Sequence, residues 1–400
     1  MAKGEEFVRL FLKICTCCLV LSVLLGGGIG AFAAEWGSTS LLSVSARSAV
    51  LMDQYGQVLY AKNADERLPM ASTTKIMTAL VTLEAMEAGE VPESVKIPAE
   101  AVGVEGSSIY LVKGEEMRLT TLLYALMLES ANDAAVAIAV AVDGSVEKFA
   151  GRMNRKAVEL GLDDTRFENP HGLDHETHYT TARDLAMLTV VALENETFAE
   201  IVSTVRYSAP VNAEGDSVRL FVNHNRLLRE YEGCIGVKTG YTKRCGRCLV
   251  SAARRDGITL VAVTLNDPND WRDHRAMLDY GFSICAPVTA IVAGDLRYTV
   301  PVVGGTSASV ICDGSDGVTL TLPDGCTPEV RVELPRFLWG EVRAGDLVGR
   351  AVVTVNGREA AFVPICAGSD VTAAVYPKSI WQKICDFFAA IGRWLAGWFE

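Results

Sequence analysis

No block rich in lysine or arginine interrupts this chain, and acidic residues outnumber basic ones 49 to 37, a formal charge of −12. That balance excludes a nucleic-acid binder. Aliphatic residues are not scarce: 50% of the 400 residues are hydrophobic and 22% are charged. A disordered chain is therefore excluded. There is no collagen-like period, no cysteine-dense miniature scaffold and no internal repeat. Metal-binding signals are thin. No H-E-x-x-H occurs, and Cys245-x-x-Cys248 has no second pair,. What is present is length: at about 150 residues per domain, the chain predicts two or three domains with a sizeable core.

The N-terminus reads as a secretory signal over 1–33. Lys3, Arg9 and Lys13 form a basic start, Ile14 to Ala34 carry no charge, and Ala31-Phe32-Ala33 offers a small-x-small cleavage site,. The alternative is an uncleaved anchor, since the uncharged run is long enough to span a bilayer. Either reading exports the rest of the chain. Cys15, Cys17 and Cys18 belong to this segment and lack a lipobox-like context.

Beyond the linker Gly37–Ser40, Ser48–Met52 and Gln57–Tyr60 read as strands joined by a turn,. Helical patterns follow at Lys75–Met86, Leu119–Leu128, Asp133–Val142, Val146–Leu160 and Thr181–Leu193. Cys248–Ala253 and Ile258–Leu265 are strong strands, with Asp256-Gly257 as a hairpin turn,. Strands at both ends with helices between them predict an α+β domain over 42–288 whose sheet is closed by distant segments. After Ala286-Pro287 the texture changes to short alternating runs, which predicts a small all-β domain over 289–376,.

Residues 379–400 form an amphipathic pattern. Ile380, Trp381, Ile384, Phe387, Phe388, Ile391, Trp394, Leu395, Trp398 and Phe399 fall within an arc of about 140° on a helical wheel, and Lys383, Asp386 and Arg393 fall outside it,. Such a face suits the headgroup boundary of a membrane, and the competing reading is a helix packed on the protein's own core.

Three triplets carry the chemistry. In Ser72-Thr73-Thr74-Lys75, the i, i+3 spacing sets the lysine one turn above the serine on a helix start,. Ser130-Ala131-Asn132 lies between two helical runs, and Lys238-Thr239-Gly240 opens the later strand region. Singly each is weak. In this order they match the S-x-x-K, S-x-N and K-T-G set of serine β-lactamases and penicillin-binding proteins. Longer stretches extend the likeness: Arg67–Thr78, Leu128–Ala135, Phe167–Gly172, Asn223–Leu228, Gly236–Thr242 and, in the β region, Val342–Gly349. The chain resembles the low-molecular-mass penicillin-binding proteins of the D-alanyl-D-alanine carboxypeptidase type, peptidase family S11.

The resemblance implies a serine β-lactamase/transpeptidase-like catalytic domain, an antiparallel sheet with a helical subdomain, followed by the β domain and an amphipathic anchor. It implies Ser72 as nucleophile, Lys75 as base and Ser130 as proton relay to the leaving nitrogen. Asn132, Lys238, Thr239, Gly240 and Tyr241 would bind substrate, with the backbone N–H groups of Ser72 and Tyr241 as oxyanion hole. The implied partners are peptidoglycan stem peptides ending in D-Ala-D-Ala, β-lactams and the membrane surface, at the outer face of the cytoplasmic membrane. No metal or cofactor is implied. Two departures stand out: Ala131 where the family often has glycine, and Cys234-Ile235 where it often has Ala-Asp. Arg272 is a further candidate carboxylate contact.

Other features read as structural. His171, His175 and His178 with Asp174 and Glu176 lack convergent metal-ligand spacing,. Cys245 and Cys248 read as two small residues at a strand start. Cys312 and Cys326 flank an expected hairpin, which leaves a disulfide between them open. Two rival functions share the same features: a β-lactamase of the same fold, and a non-catalytic, membrane-tethered cell-wall binding protein. The intact set of five reactive residues weighs against the second, and the added β domain and anchor weigh against the first.

Overall fold

A computed structural model describes residues 42–210, 218–374 and 380–396. The signal expected over 1–33 lies outside the described residues. The central element is an antiparallel five-stranded sheet made of β1 (Ser48–Asp53), β2 (Val58–Lys62), β3 (Cys234–Thr242), β4 (Gly246–Arg255) and β5 (Ile258–Leu265). Its order is β2-β1-β5-β4-β3. The chain thus starts the sheet, leaves it for about 170 residues of helix and loop, and returns to complete it. In the middle sits β5, Ile-Thr-Leu-Val-Ala-Val-Thr-Leu, buried at every position. A strand covered on both faces needs no polar alternation. At the far side, β3 is an edge, with one row of backbone groups unpaired by the sheet,.

The inserted segment holds α1 (Lys75–Glu87), α2 (Leu119–Leu128), α3 (Asn132–Asp143), α4 (Val146–Glu159), α5 (Ala182–Ala192) and α6 (Glu196–Ser203). Three starts are capped by the residue before them. Ser145, Thr181 and Asn195 accept from the backbone N–H groups of Lys148, Asp184 and Phe198,. Gly144, at φ +78°, ends α3 in the left-handed conformation that glycine tolerates,. Leucine-rich α2 is buried at nine of its ten residues, with Thr120 half-buried. It lies inside the main core rather than on a surface,. Against the opposite face of the sheet packs α7 (Asp270–Ser283), whose His274 is held between Ser251 and Thr264.

The later β region forms a six-stranded sheet over its own core of Val300, Val310, Val353, Val363 and Ile365 among others. The strands expected there are present, from Leu296–Val303 to Arg358–Ala367. Strand Cys285–Ile291 runs across the boundary expected at Val288 and pairs with Val318–Pro323. Pro287 lies inside that strand. A two-stranded sheet has only edges, where a missing N–H is tolerated.

All eight described cysteines are free thiols, so the bridge left open between Cys312 and Cys326 is not formed. Cys312 points into the core of the six-stranded sheet, whereas Cys326 lies in the turn after a strand of the two-stranded one. In the terminal segment, α8 spans Ile380–Ala396 with Ile380, Trp381, Phe387 and Phe388 exposed. No described helix is long and apolar enough to cross a membrane.

Candidate active site

Ser72 sits on a single 3-10 turn, Ala71–Thr74, that leads directly into α1. The i, i+3 spacing brings Lys75 Nζ to 3.0 Å from Ser72 Oγ. The same nitrogen donates to Asn132 Oδ1 at 2.7 Å and to the carbonyl of His171 at 2.6 Å. Lys75 is fully buried. Burial drives its pKa well below 10.5, and the charge of Lys238 pushes it the same way,.

Ser130-Ala131-Asn132 joins α2 to α3. Ser130 turns the chain at φ +58°, and Asn132 is the first residue of α3. Asn132 Nδ2 donates to the carbonyl of Glu105 at 2.6 Å, so its amide bridges Lys75 to the loop before Leu111. Buried Asp133 pins that loop, accepting from Ser108 Oγ at 2.6 Å and from the backbone N–H groups of Ile109 and Leu111.

The third triplet lies on edge strand β3. Lys238 is buried and donates to the carbonyl of Thr239 at 3.0 Å. Burial lowers its pKa to about 7, against the opposing pull of Glu129. Gly240 lies flat against the turn that carries Ser72. A Cβ there would come within 3.2 Å of Ser72 N, Met70 O and Ala71 Cβ. Thr239 is half-buried and Tyr241 is exposed on the same strand. A bulge falls between Cys234 and Gly236, where the sequence departs from the family pattern.

Lys75 thus contacts both Ser72 and Asn132, Gly240 abuts the Ser72 turn, and Lys238 reaches Lys75 through its charge. Among the described residues no hydrogen bond joins the Ser130 hydroxyl to either lysine. Arg272 is exposed and pairs with Asp273. Its guanidinium is not among the groups around Ser72. Cys245 and Cys248 are both buried, and Cys245 Sγ lies 2.8 Å from Thr242 Oγ1.

Sequence reading missed three contributors. The carbonyl of His171 holds Lys75, a role invisible in a side-chain pattern. Glu129 accepts from the backbone N–H of Val222, lies 3.4 Å from His224 and acts on the charge of Lys238. His178, set aside as part of a histidine-rich loop, lies 2.7 Å from Thr74 Oγ1. The one local signal was Gly172. At φ +89°, a Cβ there would sit 2.0 Å from the carbonyl oxygen of Ala71.

The sheet, the helical insert and the Ser72–Lys75 pair define a class: serine enzymes built on an S-x-x-K helix start facing a K-T-G edge strand. The family model for D-alanyl-D-alanine carboxypeptidases matches residues 35–269. DacF, a D-alanyl-D-alanine carboxypeptidase of Bacillus subtilis, is 33% identical over 380 residues, covering 92% of this chain and 97% of its own. The D-alanyl-D-alanine carboxypeptidase of Streptomyces sp. K15 is 37% identical over 245 residues, 57% of this chain and 84% of its own. Among solved structures, penicillin-binding protein 5 from Haemophilus influenzae matches with a TM-score of 0.61 at 27% identity, over 84% of this chain and 100% of that one. The chain belongs to the D-alanyl-D-alanine carboxypeptidase family, peptidase family S11. It is a serine-type D-Ala-D-Ala carboxypeptidase, and its α+β architecture is the one the sequence led us to expect.

Proposed function

We propose that the chain removes the terminal D-Ala from peptidoglycan pentapeptide stems through an acyl-enzyme on Ser72. The observation that carries this reading is the set of partners around Lys75. A neutral amine has two protons and one lone pair. The carbonyl of His171 and Oδ1 of Asn132 accept the two protons, which leaves the lone pair for Ser72 Oγ at 3.0 Å. Burial and the charge of Lys238 favour that neutral form. A serine hydroxyl is a weak nucleophile until a base takes its proton, and here the base is aimed at it.

On this reading Ser72 Oγ attacks the carbonyl carbon of the penultimate D-Ala as Lys75 takes the hydroxyl proton. The oxyanion is held by the backbone N–H groups of Ser72 and Tyr241, a contribution of about 3 kcal/mol per donor. Ser130 passes a proton to the departing D-Ala nitrogen. Asn132 retains a second N–H beyond the one given to Glu105, and that proton meets the substrate amide,. The free edge of β3 takes the substrate peptide as an added strand, and Lys238 and Thr239 hold its terminal carboxylate. Water then releases the shortened stem. β-Lactams acylate the same serine.

The catalytic domain is residues 42–288, the β domain 289–376 and the anchor 379–400. We place the enzyme at the outer face of the cytoplasmic membrane. Support for the membrane contact comes from α8, where Trp381 and Phe388 are among the exposed side chains rather than packed on a core,. Release of D-Ala from a peptide ending in D-Ala-D-Ala tests the mechanism. Wild type turns over, and Ser72→Ala falls by at least about 10³-fold. Equal release by both overturns the role of Ser72. A penicilloyl adduct that persists separates this reading from a β-lactamase, which would hydrolyse it.

A further inference from the structure

One loop touches the nucleophile turn three times. His171 gives its carbonyl to Lys75, and Gly172 presses on the carbonyl of Ala71. His178 places Nε2 at 2.7 Å from Thr74 Oγ1. The first two contacts are made by backbone. The third is made by a side chain to which the reaction described above gives no part.

The protons in that contact can be placed. His178 Nδ1 accepts from the backbone N–H of Glu168 at 3.0 Å. A backbone N–H only donates, so Nδ1 is bare and the ring proton is on Nε2. Thr74 Oγ1 therefore accepts from the imidazole. Its own proton goes to the carbonyl of Ala71 at 2.8 Å. Ala71 is the residue before Ser72, and it holds φ +50°, a left-handed conformation that alanine rarely adopts,. Such a turn persists only when its surroundings over-determine it. The relay from imidazole to hydroxyl to carbonyl does so on one side, and Gly172 and Gly240 close on it from two others.

We propose that His178 is a positioning residue for acylation: its neutral imidazole, acting through Thr74 Oγ1, orients the carbonyl of Ala71 and so sets the turn that presents Ser72 Oγ to Lys75. The proposal rests on Ser72 being the nucleophile. The ring is suited to the task. It is 3% exposed and packs edge-on against Phe167, with ring centroids 5.9 Å apart. Burial pushes its pKa down to about 4, which keeps Nδ1 an acceptor at neutral pH. Protonation would set an N–H against the N–H of Glu168.

The test is the acylation of the full chain by a fluorescent penicillin, followed by stopped flow. This separates the pre-acylation binding constant from the first-order acylation constant. His178→Ala should lower the acylation constant at least tenfold and leave the binding constant within twofold. His178→Gln, whose side-chain N–H can meet the same hydroxyl, should recover most of the loss. Thr74→Val should cost about as much as His178→Ala, and combining the two should cost little more, as expected of residues that act through one contact. An unchanged rate in His178→Ala overturns the proposal. So does a glutamine variant no better than alanine, or additive losses in the double variant. Should His178→Ala fail to fold, Thr74→Ser and Thr74→Val decide the matter: serine keeps the hydroxyl and the rate, valine loses both, and equal rates overturn it. If the wild type forms no adduct on Ser72, the nucleophile assignment fails instead, which the same experiment reads separately.

Discussion

Two lysines share the cleft, and the physics of their proximity sets how the site titrates. Burial first, and the positive charge of Lys238 second, push the pKa of Lys75 well below the ordinary lysine value,. Lys238, lowered to about 7 by burial, is part-charged at neutral pH, so its effect on Lys75 weakens as pH rises. Replacing it by glutamine removes a repelling cation, and the pKa of Lys75 then rises. The acid limb of the acylation pH profile in Lys238→Gln should move to higher pH than in wild type. A profile that loses height with no shift would show that Lys238 acts only on substrate. The Ser72–Lys75 contact was legible in the sequence because helical spacing dictates it. The third partner of Lys75, the carbonyl of His171, was not, because every residue but the last carries such a carbonyl and none announces its direction.

Among the elements, long amphipathic or apolar runs were readable, and short locally paired ones were not. Leu119–Leu128 was expected and is found with the same bounds. The hairpin Ser94–Lys96 with Glu116–Arg118 was not expected, since three-residue strands carry too few side chains to display a period,. Nor was α7, although the two aspartates in its first turn suit a helix N-terminus,. Helix α8 was anticipated from its aromatic face, and its prediction belongs at this scale. In a chain that begins at Ala34, deleting Ile380–Glu400 should abolish co-sedimentation with phospholipid vesicles and leave D-Ala release intact. The side-chain charges of the segment 380–400 cancel, Lys383 and Arg393 against Asp386 and Glu400, so its binding should vary little between neutral and anionic vesicles,. Unchanged sedimentation after deletion would mean that another surface holds the membrane.

Across the whole molecule, buried ionisable groups tie stability to pH. Burial holds His171 at about 3, His178 at about 4 and His274 at about 3, against 6.5 for a free histidine. The unfolded chain therefore binds protons that the folded chain refuses, and the stability present above pH 6.5 is lost as pH falls toward 4. Asp53 works the other way. Its carboxyl is pushed up to about 6 from 3.8, so the folded state takes its proton first and gains on acidification. The three strongly lowered histidines outweigh the one strongly raised aspartate, so among these groups unfolding takes up protons near pH 5,. The melting temperature should fall steadily from pH 7 to pH 4.5, and a flat profile would contradict the burial of these rings. The sequence could not have disclosed this balance, because the three histidines look alike in it with His175, which the fold leaves exposed.

On the proposed reading it is Ser72 that carries the acyl group. Intact-protein mass spectrometry of the chain with benzylpenicillin, followed by peptide mapping, tests it most directly. The expected result is a single penicilloyl adduct, carried by the peptide that contains Ser72 and absent from Ser72→Ala. An adduct on any other residue, or D-Ala release that persists in Ser72→Ala, would contradict it.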